Sequence, residues 1–69
     1  MTLSIELEQE DDGRWFGIID ELPGVLAYGD TRDEAANATR ALALRVLAER
    51  IEHGEELPAS LVDFMAVRS

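Results

Sequence analysis

From Thr2 to Gln9 the chain alternates cleanly, with Leu3, Ile5 and Leu7 on one side and Ser4, Glu6 and Glu8 on the other. A period of two is the mark of a strand with one buried and one wet face. Glu10-Asp11-Asp12-Gly13 interrupts the alternation with turn chemistry, Asp-Gly being a strong hairpin signal. Arg14 to Asp20 (RWFGIID) is rich in aromatic and β-branched residues and reads as the second strand. Gly17 inside it points to a bulge or to a close backbone approach. Leu22-Pro23-Gly24 turns the chain, and residues 25–28 (VLAY) make a short third strand.

The period then changes. Gly29-Asp30-Thr31 leads into Thr31-Arg32-Asp33-Glu34, a capping box in which Thr31 caps the helix and Glu34 is expected to reach back to the Thr31 backbone N–H. Asp33 and Glu34 also sit where the helix dipole favours negative charge. From Arg32 to about His53 there is no proline or glycine, enough for a helix of about six turns. Gly54 supplies the stop, with Pro58 beyond it. At about 100° per residue, Ala35, Ala38, Leu42 and Val46 form one stripe, expected to cover the sheet. Leu44, Leu47, Ala48 and Ile51 gather on the other side, interrupted by Asn37, Arg40 and Arg45. Leu44, Leu47 and Ile51 are the residues expected to pair copies of the chain as a homodimer or tetramer.

Leu61 to Ser69 (LVDFMAVRS) suits a fourth strand, although Pro58-Ala59-Ser60 is equally good as a helix start. The expected fold is α+β, with order β-β-β-α-β: one small antiparallel-rich sheet packed on one long helix, residues 1–69 forming a single domain.

Composition narrows the function. A 69-residue chain buries only about 60% of its unfolded surface, and with no cysteine it has no disulfide to compensate. Association with another chain is the remaining way to bury more apolar area. Six arginines, no lysine and fifteen carboxylates give a net charge of −9. The imbalance is local: residues 1–34 hold ten acids and two arginines, residues 35–69 five acids and four arginines. Such a chain is wrong for direct nucleic-acid binding or an anionic membrane, and right for a basic partner. It contains no apolar run of the length a membrane span needs and no signal-peptide pattern, so a cytoplasmic location is expected.

Catalysis finds little support in the residues. The single histidine, His53, falls at the helix end, where an imidazolium complements the dipole. A serine nucleophile would lack a base, and there is no thiolate ligand for a soft metal. Glu6, Glu8 and Asp20 are the acids best placed for a hard cation, yet alternating acids are ordinary on the wet face of a strand. Phosphate-binding glycine loops are missing. Trp15, Phe16, Tyr28 and Phe64 are better read as core or interface than as base-stacking platforms. No enzyme activity, metal or cofactor is expected.

Taken together in order and spacing, Asp12-Gly13, Trp15-Phe16, Glu21-Leu22-Pro23-Gly24, Gly29-Asp30-Thr31, Glu34-Ala35, the Ala/Leu-rich helix, Gly54-Glu55 and Leu57-Pro58 resemble the HicB-like antitoxin family over residues 3–58. The resemblance implies a partial RNase H-like fold without the nuclease carboxylates. It also implies a partner: a small, basic HicA-like toxin, an mRNA-cleaving ribonuclease whose active surface the antitoxin covers. Many such antitoxins carry a C-terminal DNA-binding domain; none is expected here, and with it no autorepression. Val25 and Tyr28 depart from the family's smaller or more polar residues. The partner is expected on the acidic side of the sheet and its turns, at Glu8, Glu10, Asp11, Asp12, Asp20 and Glu21, with Trp15 as an apolar anchor.

Overall fold

A computed structural model describes residues 3–57. Three strands, β1 (Ile5–Gln9), β2 (Trp15–Ile19) and β3 (Leu26–Gly29), are followed by one helix, α1 (Arg32–Glu52). The strands form a single antiparallel sheet in the order β1-β2-β3. The fold is therefore α+β, with β-β-β-α over the described residues; the expected fourth strand at Leu61–Ser69 lies outside them.

Each turn does what its residues dictate. Between β1 and β2, the Gly13 N–H donates to Glu10 O at 2.9 Å and the Glu10 N–H to Arg14 O at 2.7 Å. Gly13 takes a φ of 94°, a left-handed conformation that costs glycine nothing. Leu22-Pro23-Gly24-Val25 has proline at the second position and a positive-φ glycine at the third, as a type II turn requires. The Val25 N–H donates to Leu22 O at 3.1 Å, so Val25 belongs to this turn. The third strand is consequently shifted by one residue from the expected 25–28, and Gly29 pairs with Trp15. The second strand loses Arg14 and Asp20 to the turns, and the first begins at Ile5, whose partner Ile19 is the last residue of β2.

Thr31 caps α1, its Oγ1 accepting from the Glu34 N–H at 3.1 Å. The reciprocal half of the expected capping box is displaced: Glu34 Oε2 accepts from the Asp30 N–H at 3.1 Å, one residue earlier than expected. At the other end, Gly54 adopts φ 72°. Its N–H reaches Ile51 O (3.1 Å), and the Glu55 N–H reaches Arg50 O (2.9 Å), completing a Schellman motif.

Glycines set how close the helix comes. A Cβ on Gly17 would overlap Thr39 Oγ1 and stand 3.1 Å from both Thr39 Cβ and Leu7 Cδ2. A Cβ on Gly29 would strike the backbone of Glu34 and Ala35. The pairing of β2 with both neighbours is continuous, so Gly17 marks a close approach and not a bulge. The first half of α1 thus rests almost on the sheet, through Ala35, Ala36 and Thr39. Its second half packs into the core proper: Ile19, Leu22, Val25, Ala43 and Leu47, with Leu3, Ile5, Leu42, Val46 and Leu57 packed around them.

The buried face of α1 is rotated from the expected stripe. Ala35, Ala36, Thr39, Ala43 and Leu47 are buried, whereas Ala38, Leu42 and Val46 flank them. Thr39 and Ala35 sit where Gly17 and Gly29 bring the strands close to the helix. Thr39, fully buried, satisfies its hydroxyl on Ala35 O at 2.7 Å.

Candidate partner-binding surface

Because Gly17 faces the helix, alternation commits Trp15, Gly17 and Ile19 to the inner face of β2. Phe16 and Ile18 face outward. The register then builds the outer face in two rows: Glu6 beside Ile18 beside Leu26, and Glu8 beside Phe16 beside Tyr28. Leu26 and Tyr28 are 43% and 44% exposed, large values for apolar side chains in a sheet. The Phe16 and Tyr28 rings pack at 5.8 Å between centroids, tilted by 48°. Among the described residues no element lies over this face.

Polar contacts at the hairpin end fix its border. The Tyr28 hydroxyl donates to Glu10 Oε1 at 3.0 Å, and the Arg14 guanidinium lies 4.7 Å from the Tyr28 ring centroid. Arg14 also donates from Nε to Asp12 Oδ2 at 2.9 Å, reaches Glu10 at 3.5 Å, and donates its backbone N–H to Asp12 Oδ1 at 3.0 Å. The Arg14 backbone N–H and guanidinium hold the Asp12 carboxyl below its ordinary range, and Asp12 in turn raises Arg14. The carboxylate of Glu10 raises the Tyr28 phenol. Glu10, Asp11 and Asp12 line a shallow open depression at this tip.

The residues expected to bind a partner do not form one patch. Glu8, Glu10, Asp11 and Asp12 meet at the hairpin end. Asp20 and Glu21 lie past the opposite end of β2, about 13 Å along the strand from Phe16 at ~3.3 Å per residue. Trp15 is on the helix side and half-buried, so it does not share a surface with Glu8. The apolar residues that do share the outer face with Glu8 are Phe16, Ile18, Leu26 and Tyr28. Their signal was present in the sequence, since both alternating rows of β2 are apolar and one helix covers only one of them.

On α1, Leu44 and Ile51 are 65% and 50% exposed. Leu47 departs from the expected self-association stripe: it is a core residue, packed with Ile19, Leu22 and Val25. His53 caps the helix, its Nδ1 2.8 Å from Glu49 O. No group of three or more histidine or carboxylate side chains placed to hold a metal occurs among the described residues. No described helix is long and apolar enough to cross a membrane.

Comparison with protein-family models, with curated proteins and with solved structures finds no match to this chain.

Proposed function

We propose that the chain is a non-enzymatic, HicB-like antitoxin-type domain, located in the cytoplasm, that binds and occludes a small basic HicA-like mRNA-cleaving ribonuclease. One observation carries the reading beyond the sequence resemblance: charge is segregated between the two layers. The helix is balanced, with Arg32, Arg40, Arg45 and Arg50 against Asp33, Glu34, Glu49 and Glu52. The strands and their two turns carry seven carboxylates against Arg14 alone. A basic protein is drawn to such a layer, and the attraction acts mainly on the rate and orientation of encounter. Occlusion needs no chemistry from this chain.

The test is co-expression with a small basic protein encoded beside this chain in its native genome. Restored growth and co-elution of the two proteins are expected. Continued toxicity with no complex refutes the reading.

A second reading rests on the exposure of Leu44 and Ile51, which gives α1 an apolar outer stripe suited to a homodimer or tetramer with no toxin. Sedimentation separates the two: a concentration-dependent dimer abolished by Leu44→Glu supports self-association, and a strict monomer refutes it.

A further inference from the structure

We infer that the outer face of the sheet, centred on Phe16, Ile18, Leu26 and Tyr28, is the docking site for a cationic amphipathic segment of a partner protein. The inference rests on the reading of the chain as a binder of basic proteins and names the surface and the chemistry it selects. A charged turn alone would hold any polycation. This face demands more, because Ile18 pairs with Leu26 and Phe16 with Tyr28 to make a continuous apolar strip. Glu6 and Glu8 stand in register beside the strip on β1, and Glu10 closes it through its bond to Tyr28. Its matching partner places apolar side chains on the strip and arginine or lysine along the β1 edge. The one cation of this border, Arg14, is engaged by Asp12, Glu10 and the Tyr28 ring, which leaves Glu6 and Glu8 without an intrachain cation among the described residues.

A second copy of the chain is the wrong occupant. Two sheets stacked about a two-fold axis across the strands lay the Glu6–Glu8 row on its own counterpart. About an axis along the strands, the same row lies on the partner's Leu26 and Tyr28. The first brings like charges together and the second buries carboxylates on apolar surface. A cationic partner removes both penalties, since its charges meet the glutamates while its apolar groups cover the strip.

The experiment uses the full 69-residue chain, isotopically labelled, and two synthetic peptides of equal length and charge. One alternates arginine with leucine; the other alternates arginine with serine. The amphipathic peptide is expected to shift the amide resonances of Phe16, Ile18, Leu26 and Tyr28 and to bind more tightly than the polar one. Leu26→Ser and Ile18→Thr are each expected to weaken it at least about fivefold, the scale of an interface anchor, while leaving weak binding of the polar peptide unchanged. Amide dispersion shows that each variant is folded, and the two substitutions are independent. Equal binding of both peptides, with shifts confined to Glu10–Asp12, overturns the docking site but leaves a basic partner in place. Shifts centred on Leu44 and Ile51 overturn it in favour of the helix. Binding of neither peptide overturns it as well, and the co-expression test then decides the broader function separately.

Discussion

Alanine at position 17 is the sharpest test of how the two layers meet. The added methyl would overlap Thr39 Oγ1 and press on Thr39 Cβ and Leu7 Cδ2, each 3.1 Å from the ideal Cβ position. Thr39 has no room to retreat, being fully buried with its hydroxyl tied to Ala35 O. Overpacking of this kind costs about 1–3 kcal/mol. Alanine recovers about 0.5–1 kcal/mol of the backbone entropy that glycine loses in a strand. A net loss of up to about 2.5 kcal/mol is expected, out of the roughly 3–10 kcal/mol typical for a chain of this length. Urea unfolding followed by far-ultraviolet circular dichroism measures it, as a lowered midpoint with an unchanged slope. The cause is isolated by a double-mutant cycle. Thr39→Ala removes the overlapping oxygen, and the doubly substituted protein should be less destabilised than the sum of the single changes by at least about 0.5 kcal/mol. Strict additivity refutes the claim that this contact sets the spacing of helix and sheet.

Thr31→Ala removes the oxygen that accepts from the Glu34 N–H and should cost about 1 kcal/mol in the same unfolding assay, with Thr31→Asp restoring most of it. Leu47→Glu should destroy the fold by placing a charge in the core, whereas Leu44→Glu, at an exposed position, should stay within about 0.5 kcal/mol of the parent. Because Arg14 lowers the folded-state pKa of Asp12, its stabilising contribution is present above the unfolded value of about 3.9 and is lost as pH falls through the folded one. Acidification should therefore cost the parent more than Asp12→Asn, and a carboxyl midpoint for Asp12 at or above about 3.9 by NMR titration would contradict it. The chain's single tyrosine, Tyr28, should ionise above its ordinary value of about 10 in an absorbance titration, with Glu10→Gln returning it towards that value.

The local signals in this sequence were legible because their causes are local. The Asp12-Gly13 hairpin, the Pro23-Gly24 turn, the Thr31 cap and the Gly54 stop each depend on one or two residues and their own φ angles. What failed depended on residues far apart. The buried helix face could not be read from hydropathy, because its centre is Thr39 and Ala43, neither of them strongly apolar, and Thr39 is the residue that lies against Gly17. Trp15 looked like a surface anchor only while the facing of β2 was unknown. Once Gly17 is placed under Thr39, alternation turns Trp15 inward and Phe16 outward. The candidate acids were grouped by sequence proximity, which hid the length of β2: it sends Asp20 and Glu21 to the end opposite Glu10, Asp11 and Asp12.

Gly17 therefore links folding to the candidate binding surface. A larger residue there would hold the helix off the sheet and weaken the distinction between a packed face and an open one. With glycine, the inner row of β2 is committed to α1, and the core closes through Ile19, Leu22, Val25, Ala43 and Leu47. The outer row is left with apolar residues that this core does not use. Cross-strand pairs such as Phe16–Tyr28 and Ile18–Leu26 contribute about 0.2–1 kcal/mol each, and polar β-formers such as threonine in their place would retain part of that without an exposed apolar patch. Tyr28 is held within the chain by Phe16, Arg14 and Glu10, but the described residues give Leu26, 43% exposed, little reason to be apolar. Burial of the strip by the proposed cationic partner would supply that reason.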